Sequence, residues 1–102
     1  MTIDRTSVKQ YHDSSNAHIR KVGRMTGPAS YATGGDPLTP GELGVGVVDL
    51  LLCEPFDNGT AILLAVYQHS TSKLKFYDMA GAEVTDATNL SAYAARFEMI
   101  GI

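Results

Sequence analysis

Apolar and polar positions alternate most strictly near the end of the chain. Lys73-Leu74-Lys75-Phe76-Tyr77 points Leu74 and Phe76 to one side and the lysines to the other. Tyr93 to Ile102 repeats the period, with Tyr93, Ala95, Phe97 and Met99 on one face and Arg96 and Glu98 on the other. A period of two is the signature of a half-buried strand. The sequence therefore predicts a core containing Leu63, Leu74, Phe76, Phe97 and Met99. Two earlier runs, 47–54 and 60–68, are apolar at nearly every position. Such strands are expected at the centre of a sheet or under a subunit contact. Asp57-Asn58-Gly59 lies between them and predicts a hairpin, because Asn-Gly supplies the positive φ angles of the favoured turns.

The first half of the chain is less regular. Residues 2–8 read as an edge strand or a flexible arm, and Asp13-Ser14-Ser15-Asn16 as a turn cluster. Residues 17–25 interleave apolar and cationic positions and predict a strand. Residues 26–46 hold six glycines and three prolines and predict a long ordered loop. Within it, Thr39-Pro40-Gly41-Glu42 has the form of a capping box, with Gly44 as a stop, and predicts one short helical turn over about 40–43. Short strands separated by turns at this spacing indicate an antiparallel β-sandwich or barrel. The expected organisation is an N-terminal arm, 1–16, before one β-sandwich domain, 17–102.

Composition narrows the function classes. The chain has 102 residues, enough for one domain. A net charge of −3 argues against nucleic-acid binding by the chain as a whole. The charge is uneven. Residues 1–24 carry five cations against two acids, net +3, and the remainder three cations against nine acids, net −6. This makes Arg5, Lys9, Arg20, Lys21 and Arg24 candidate contacts to an acidic partner. Cys53 is the single cysteine, so no internal disulfide is expected. The N-terminal residues have no apolar signal core, and no apolar run nears the ~20 residues of a membrane helix. Synthesis in a cytoplasm and no membrane role are expected.

Candidate chemistry is sparse. His12 and His18 stand six apart without a carboxylate or cysteine at ligand spacing, and His69 falls at a turn. No zinc or calcium pattern is present, so no metal and no cofactor are expected. Cys53 sits in the most apolar run, where a structural thiol is the expectation. No serine occupies a nucleophile motif, and Gly41-Glu42-Leu43-Gly44-Val45-Gly46 has the wrong order for a dinucleotide loop. The reading is a binding protein, not an enzyme, with no catalytic residue. Tyr31 and Tyr77 are the candidates for a stacking platform, and Tyr31 is the candidate contact outside the basic segment.

Three stretches together carry a resemblance. They are Thr26-Gly27-Pro28-Ala29-Ser30-Tyr31-Ala32-Thr33-Gly34-Gly35, then Leu38-Thr39-Pro40-Gly41-Glu42-Leu43-Gly44, and Asn89-Leu90-Ser91-Ala92-Tyr93 before Arg96-Phe97 and the final Ile100-Gly101-Ile102. Over about residues 26–102 the chain resembles small capsid decoration, or cement, proteins of tailed bacteriophages. The resemblance implies a jelly-roll-like or related β-sandwich on the outside of a capsid, with the major capsid protein as partner. It implies a structural virion protein forming a homo-oligomer, a dimer or trimer, and made in the bacterial host cytoplasm. No catalytic residues come with it. The competing readings are another virion part (tail, neck or head fibre) and a carbohydrate- or receptor-binding module.

Overall fold

The structure is a computed structural model that describes residues 2–12 and 18–102, with the side chains of residues 2, 4–6 and 12 outside the description. The predicted turn cluster Asp13–Asn16 lies outside the described residues. Eight strands follow in chain order: β1 Thr2–His12, β2 Ile19–Thr26, β3 Asp36–Pro37, β4 Val48–Cys53, β5 Phe56–Asp57, β6 Ile62–Gln68, β7 Lys73–Tyr77 and β8 Ala94–Gly101. All named pairings are antiparallel, and they join the strands into one sheet in the order β1-β2-β8-β5-β6-β7-β3, with β4 also on β8.

β8 organises the sheet. It pairs β2 along one edge, and β4 followed by β5 along the other. Its burial alternates along nearly its whole length, with Ala95, Phe97, Met99 and Gly101 inward. β7 alternates the same way, with Leu74 and Phe76 fully covered. The predicted core residues Leu63, Leu74, Phe76, Phe97 and Met99 are all buried. They share one cluster with Met25 of β2, Leu51 of β4, and Tyr31, Leu38, Leu43 and Leu90 from the loops. Both halves of the sheet thus feed one core. Phe76 lies at its centre, edge-on to Tyr31 and Phe56 at 5.7 and 4.8 Å between ring centres.

Three expectations are revised. Residues 2–8 fall in edge strand β1, the first of the two alternatives for that stretch, and the strand runs on to His12. The predicted helical turn is absent, and the described residues contain no helix. Residues 40–44 instead make tight turns, in which the Glu42 N–H donates to the Thr39 carbonyl at 3.1 Å and to its Oγ1 at 3.4 Å. Two glycines and a proline in five residues cannot sustain the costly first turn of a helix. Third, the apolar run 47–54 is not the partner of 60–68. β4 pairs β8, and the hairpin around Asn58 and Gly59 is made by the two-residue β5 with β6. Pro55, which has no N–H to donate, separates β4 from β5.

The loop 26–46 is ordered by long-range bonds. The Gly27 N–H donates to the Tyr93 carbonyl, and the Leu90 N–H to the Pro28 carbonyl, at 2.9 and 2.8 Å. A Cβ on Gly27 would stand 2.5 Å from the Leu90 carbonyl oxygen, so only glycine fits this approach. Two of the stretches that carry the resemblance, 26–35 and 89–93, are therefore one packed unit.

Candidate functional site

The face of β1, β2, β8 and β4 turned away from the core collects the charged side chains. Alternation puts Arg20, Val22 and Arg24 of β2 on this face, because Gly23 and Met25 take the inner one. On β8 it places Arg96, Glu98 and Ile100 outward. Register does the rest. Arg24 stands directly opposite Arg96, Val22 opposite Glu98, and Arg20 opposite Ile100. β4 adds Leu52 opposite Glu98 and Leu50 opposite Ile100. β1 adds Lys9 across from Val22 and Tyr11 across from Arg20.

The result is a hollow of about 750 Å³ whose lining includes Lys9, Arg24 and Arg96 with Glu54, Glu98 and Leu52. Glu98 is already engaged. Arg20 Nε and Nη2 donate to its two carboxylate oxygens at 3.1 and 3.2 Å, and these bonds hold its carboxyl below the usual carboxylate range. The Arg20 guanidinium also lies 5.5 Å from the centre of the Tyr11 ring. Lys9 and Arg96 stand beside Glu98 with Arg24, which lies across from Asp4 of β1 as well as from Arg96. An anionic group laid across the hollow would meet Lys9 and Arg96 together.

Of the six candidate contacts, the fold brings Lys9, Arg20 and Arg24 onto this face. Lys21 points to the other side, where its Nζ donates to the Leu43 carbonyl at 2.9 Å and fastens the 40–44 turns. The Arg5 side chain lies outside the described residues. Tyr31 is 1% exposed and works inside the protein. Its hydroxyl donates to Glu83 Oε2 at 2.7 Å and accepts the Phe76 N–H at 3.2 Å. Burial pushes the Tyr31 phenol up to about 12, so it stays protonated and able to donate. Of the two tyrosines considered for stacking, Tyr77 alone reaches solvent, and it is half-covered.

Arg96 is the contact that sequence reasoning missed. Counting charge along the chain placed it in the acidic body, whereas strand alternation puts it on the same face as Glu98. The other candidate groups do little chemistry here. Cys53 is half-buried, and desolvation pushes its thiol up to about 12, far from a reactive thiolate. His18 Nε2 lies 3.4 Å from Asp49 Oδ2, tying the start of β2 to β4. Among the described residues no three His, Cys, Asp or Glu side chains are grouped to hold a metal ion.

No protein-family model, curated protein or solved structure matches this chain.

Proposed function

We propose that this chain is a structural virion protein that binds the outer surface of a phage capsid shell and stabilises it, with the major capsid protein as its partner. In this reading the outer face of β1, β2, β8 and β4 is the attachment surface. The observation that carries it is the opposed pair Arg24 and Arg96, with Lys9 alongside, next to exposed Leu52. A surface that gathers cations beside exposed apolar side chains suits an acidic and partly apolar partner. The resemblance of residues 26–102 to cement proteins supplies the identity of that partner. A core fed from both halves of the sheet supports a β-sandwich, the fold the resemblance implies. The protein acts as a homo-oligomer on the particle and has no catalytic role.

The test is sedimentation of the purified chain with capsid shells that lack it, at low and high salt. Wild type should pellet with the shells. Arg24→Glu with Arg96→Glu should stay in solution, and salt should weaken the wild-type attachment, since exposed charges are screened within about 8 Å at physiological ionic strength. Mass spectrometry of virions encoding the chain should find a copy number comparable to the major capsid protein. A copy number of only a few per particle would overturn the capsid reading in favour of a tail or neck part.

A further inference from the structure

The edges of the sheet are protected unequally. β1, at one end of the order, carries Lys9, and its register with β2 shifts between Asp4 and Lys9. β3, at the other end, is two residues long and includes Pro37. Charge, irregularity, shortness and proline are the devices that keep an edge from pairing with another chain. β4 has few of them. It pairs β8 through one edge, and among the described residues no strand pairs the other, although β6 packs near β4. It is six residues long, with no lysine, arginine or proline. Its one charge, Asp49, is directed to His18. Its register shift lies between Val48 and Leu50, ahead of a regular run to Cys53. Leu50 and Leu52 are 39% and 58% exposed on the outer face.

We infer that β4 pairs antiparallel with β4 of a second copy of this chain across a two-fold axis. The strand is self-complementary in that arrangement. A register centred on Leu51 sets Leu50 opposite Leu52 of the second copy on the outer face, twice over by symmetry. The pairing runs over the regular stretch Leu50 to Leu52, which holds no charge, and Asp49, the residue that the β8 register skips, lies outside it. Edge N–H and C=O groups that no named strand pairs then satisfy one another. The two outer faces also become one continuous sheet surface carrying two Arg24–Arg96 pairs. The dimer does not depend on the capsid reading, although it doubles the attachment surface proposed there.

The experiment is sedimentation equilibrium of the full chain over a concentration series, with Leu52→Lys and Val66→Lys. Val66, on β6, is 55% exposed and sits on a strand already paired with β7, so it serves as the control for an exposed apolar side chain as such. Wild type and Val66→Lys should show a monomer–dimer equilibrium. Leu52→Lys should weaken it by about tenfold or more, because it sets an ammonium among leucines. Hydrogen exchange should show β4 amides better protected in concentrated than in dilute wild type, which separates edge pairing from face packing even if Leu52→Lys fails to fold. A wild-type monomer at every concentration, an unweakened Leu52→Lys dimer, loss of the dimer in Val66→Lys, or β4 amides indifferent to concentration would each overturn the inference. None of these results touches shell binding, whose failure with an intact dimer would overturn attachment alone.

Discussion

Around Tyr31, polar groups are spent on the protein itself; across β2 and β8, they are left facing outward. In the first region a buried phenol, a carboxylate and two backbone amides from distant segments satisfy one another. The Gly34 N–H and the Tyr31 hydroxyl both donate to Glu83 Oε2 at 2.7 Å, and the Phe76 N–H reaches the Tyr31 oxygen. In the second region Arg24 faces Arg96, and Leu50 and Leu52 stay half in water. The first arrangement lowers the energy of the folded chain. The second lies at the surface, where charged side chains contribute little to folding. Substitutions in the two regions should therefore separate stability from binding.

The largest loss should come at the junction of the Tyr31 region with the core. Phe76 is fully buried between Tyr31 and Phe56. Phe76→Ala should cost about 3–5 kcal/mol by denaturant unfolding, enough to unfold a domain this small. A loss under about 1 kcal/mol would mean that this ring is not the centre of the core. Tyr31→Phe is a finer cut. It keeps the ring and its edge contact, but leaves the Phe76 N–H without an acceptor and removes one donor from Glu83. About 1–3 kcal/mol should be lost. No change would show that the hydroxyl is incidental.

Strands with local alternation could be read directly. β7 and β8 advertise an inside and an outside residue by residue, so Leu74, Phe76, Phe97 and Met99 could be assigned to the core without knowing what they touch. Pairing across the chain could not be read. β4 and β6 are close in sequence and joined by Asn-Gly, and nothing local reveals that β8, more than forty residues later, is the partner of β4. Tyr31 was misleading for a related reason. Its neighbours are glycine, serine and proline, which suggests a surface loop, but Thr88, Glu83 and Phe76 close over it from elsewhere. The basic face was half legible. Lys9, Arg20 and Arg24 stood out as a charged segment, while Lys21 was grouped with them and Arg96 was not, because faces are set by register and not by position along the chain.

A smaller effect should appear as a change with pH. The bonds from Gly34 first, and from Tyr31 second, hold the Glu83 carboxyl below its ordinary value of 4.5. A depressed carboxylate stabilises the folded state above its unfolded pKa, and that contribution disappears as pH falls through the lower folded value. Thermal midpoints of wild type should therefore fall as pH drops from 4.5 downward. Glu83→Gln should start lower at neutral pH and respond less in that acid window. Parallel curves for the two proteins would remove Glu83 as a source of the dependence.

The smallest effect on stability should come from the outer face. Arg96 is exposed on the outer face, so replacing it removes no core packing. The stem of the side chain still lies along the sheet, and glutamine keeps most of that length. Arg96→Gln should thus leave stability within about 0.5 kcal/mol of wild type. Shell attachment should weaken at the same time, because one of the three cations in the hollow is gone. Lys21→Gln is the instructive counterpart. It removes the same charge from the chain, but on the inner side, where it breaks the bond to the Leu43 carbonyl. It should lower stability and leave attachment unchanged. If both substitutions weaken attachment equally, the partner responds to net charge and not to this face. If Arg96→Gln destabilises the protein by more than about 1 kcal/mol, Arg96 is part of what holds the sheet together, and the opposed guanidiniums are not the sign of a binding surface.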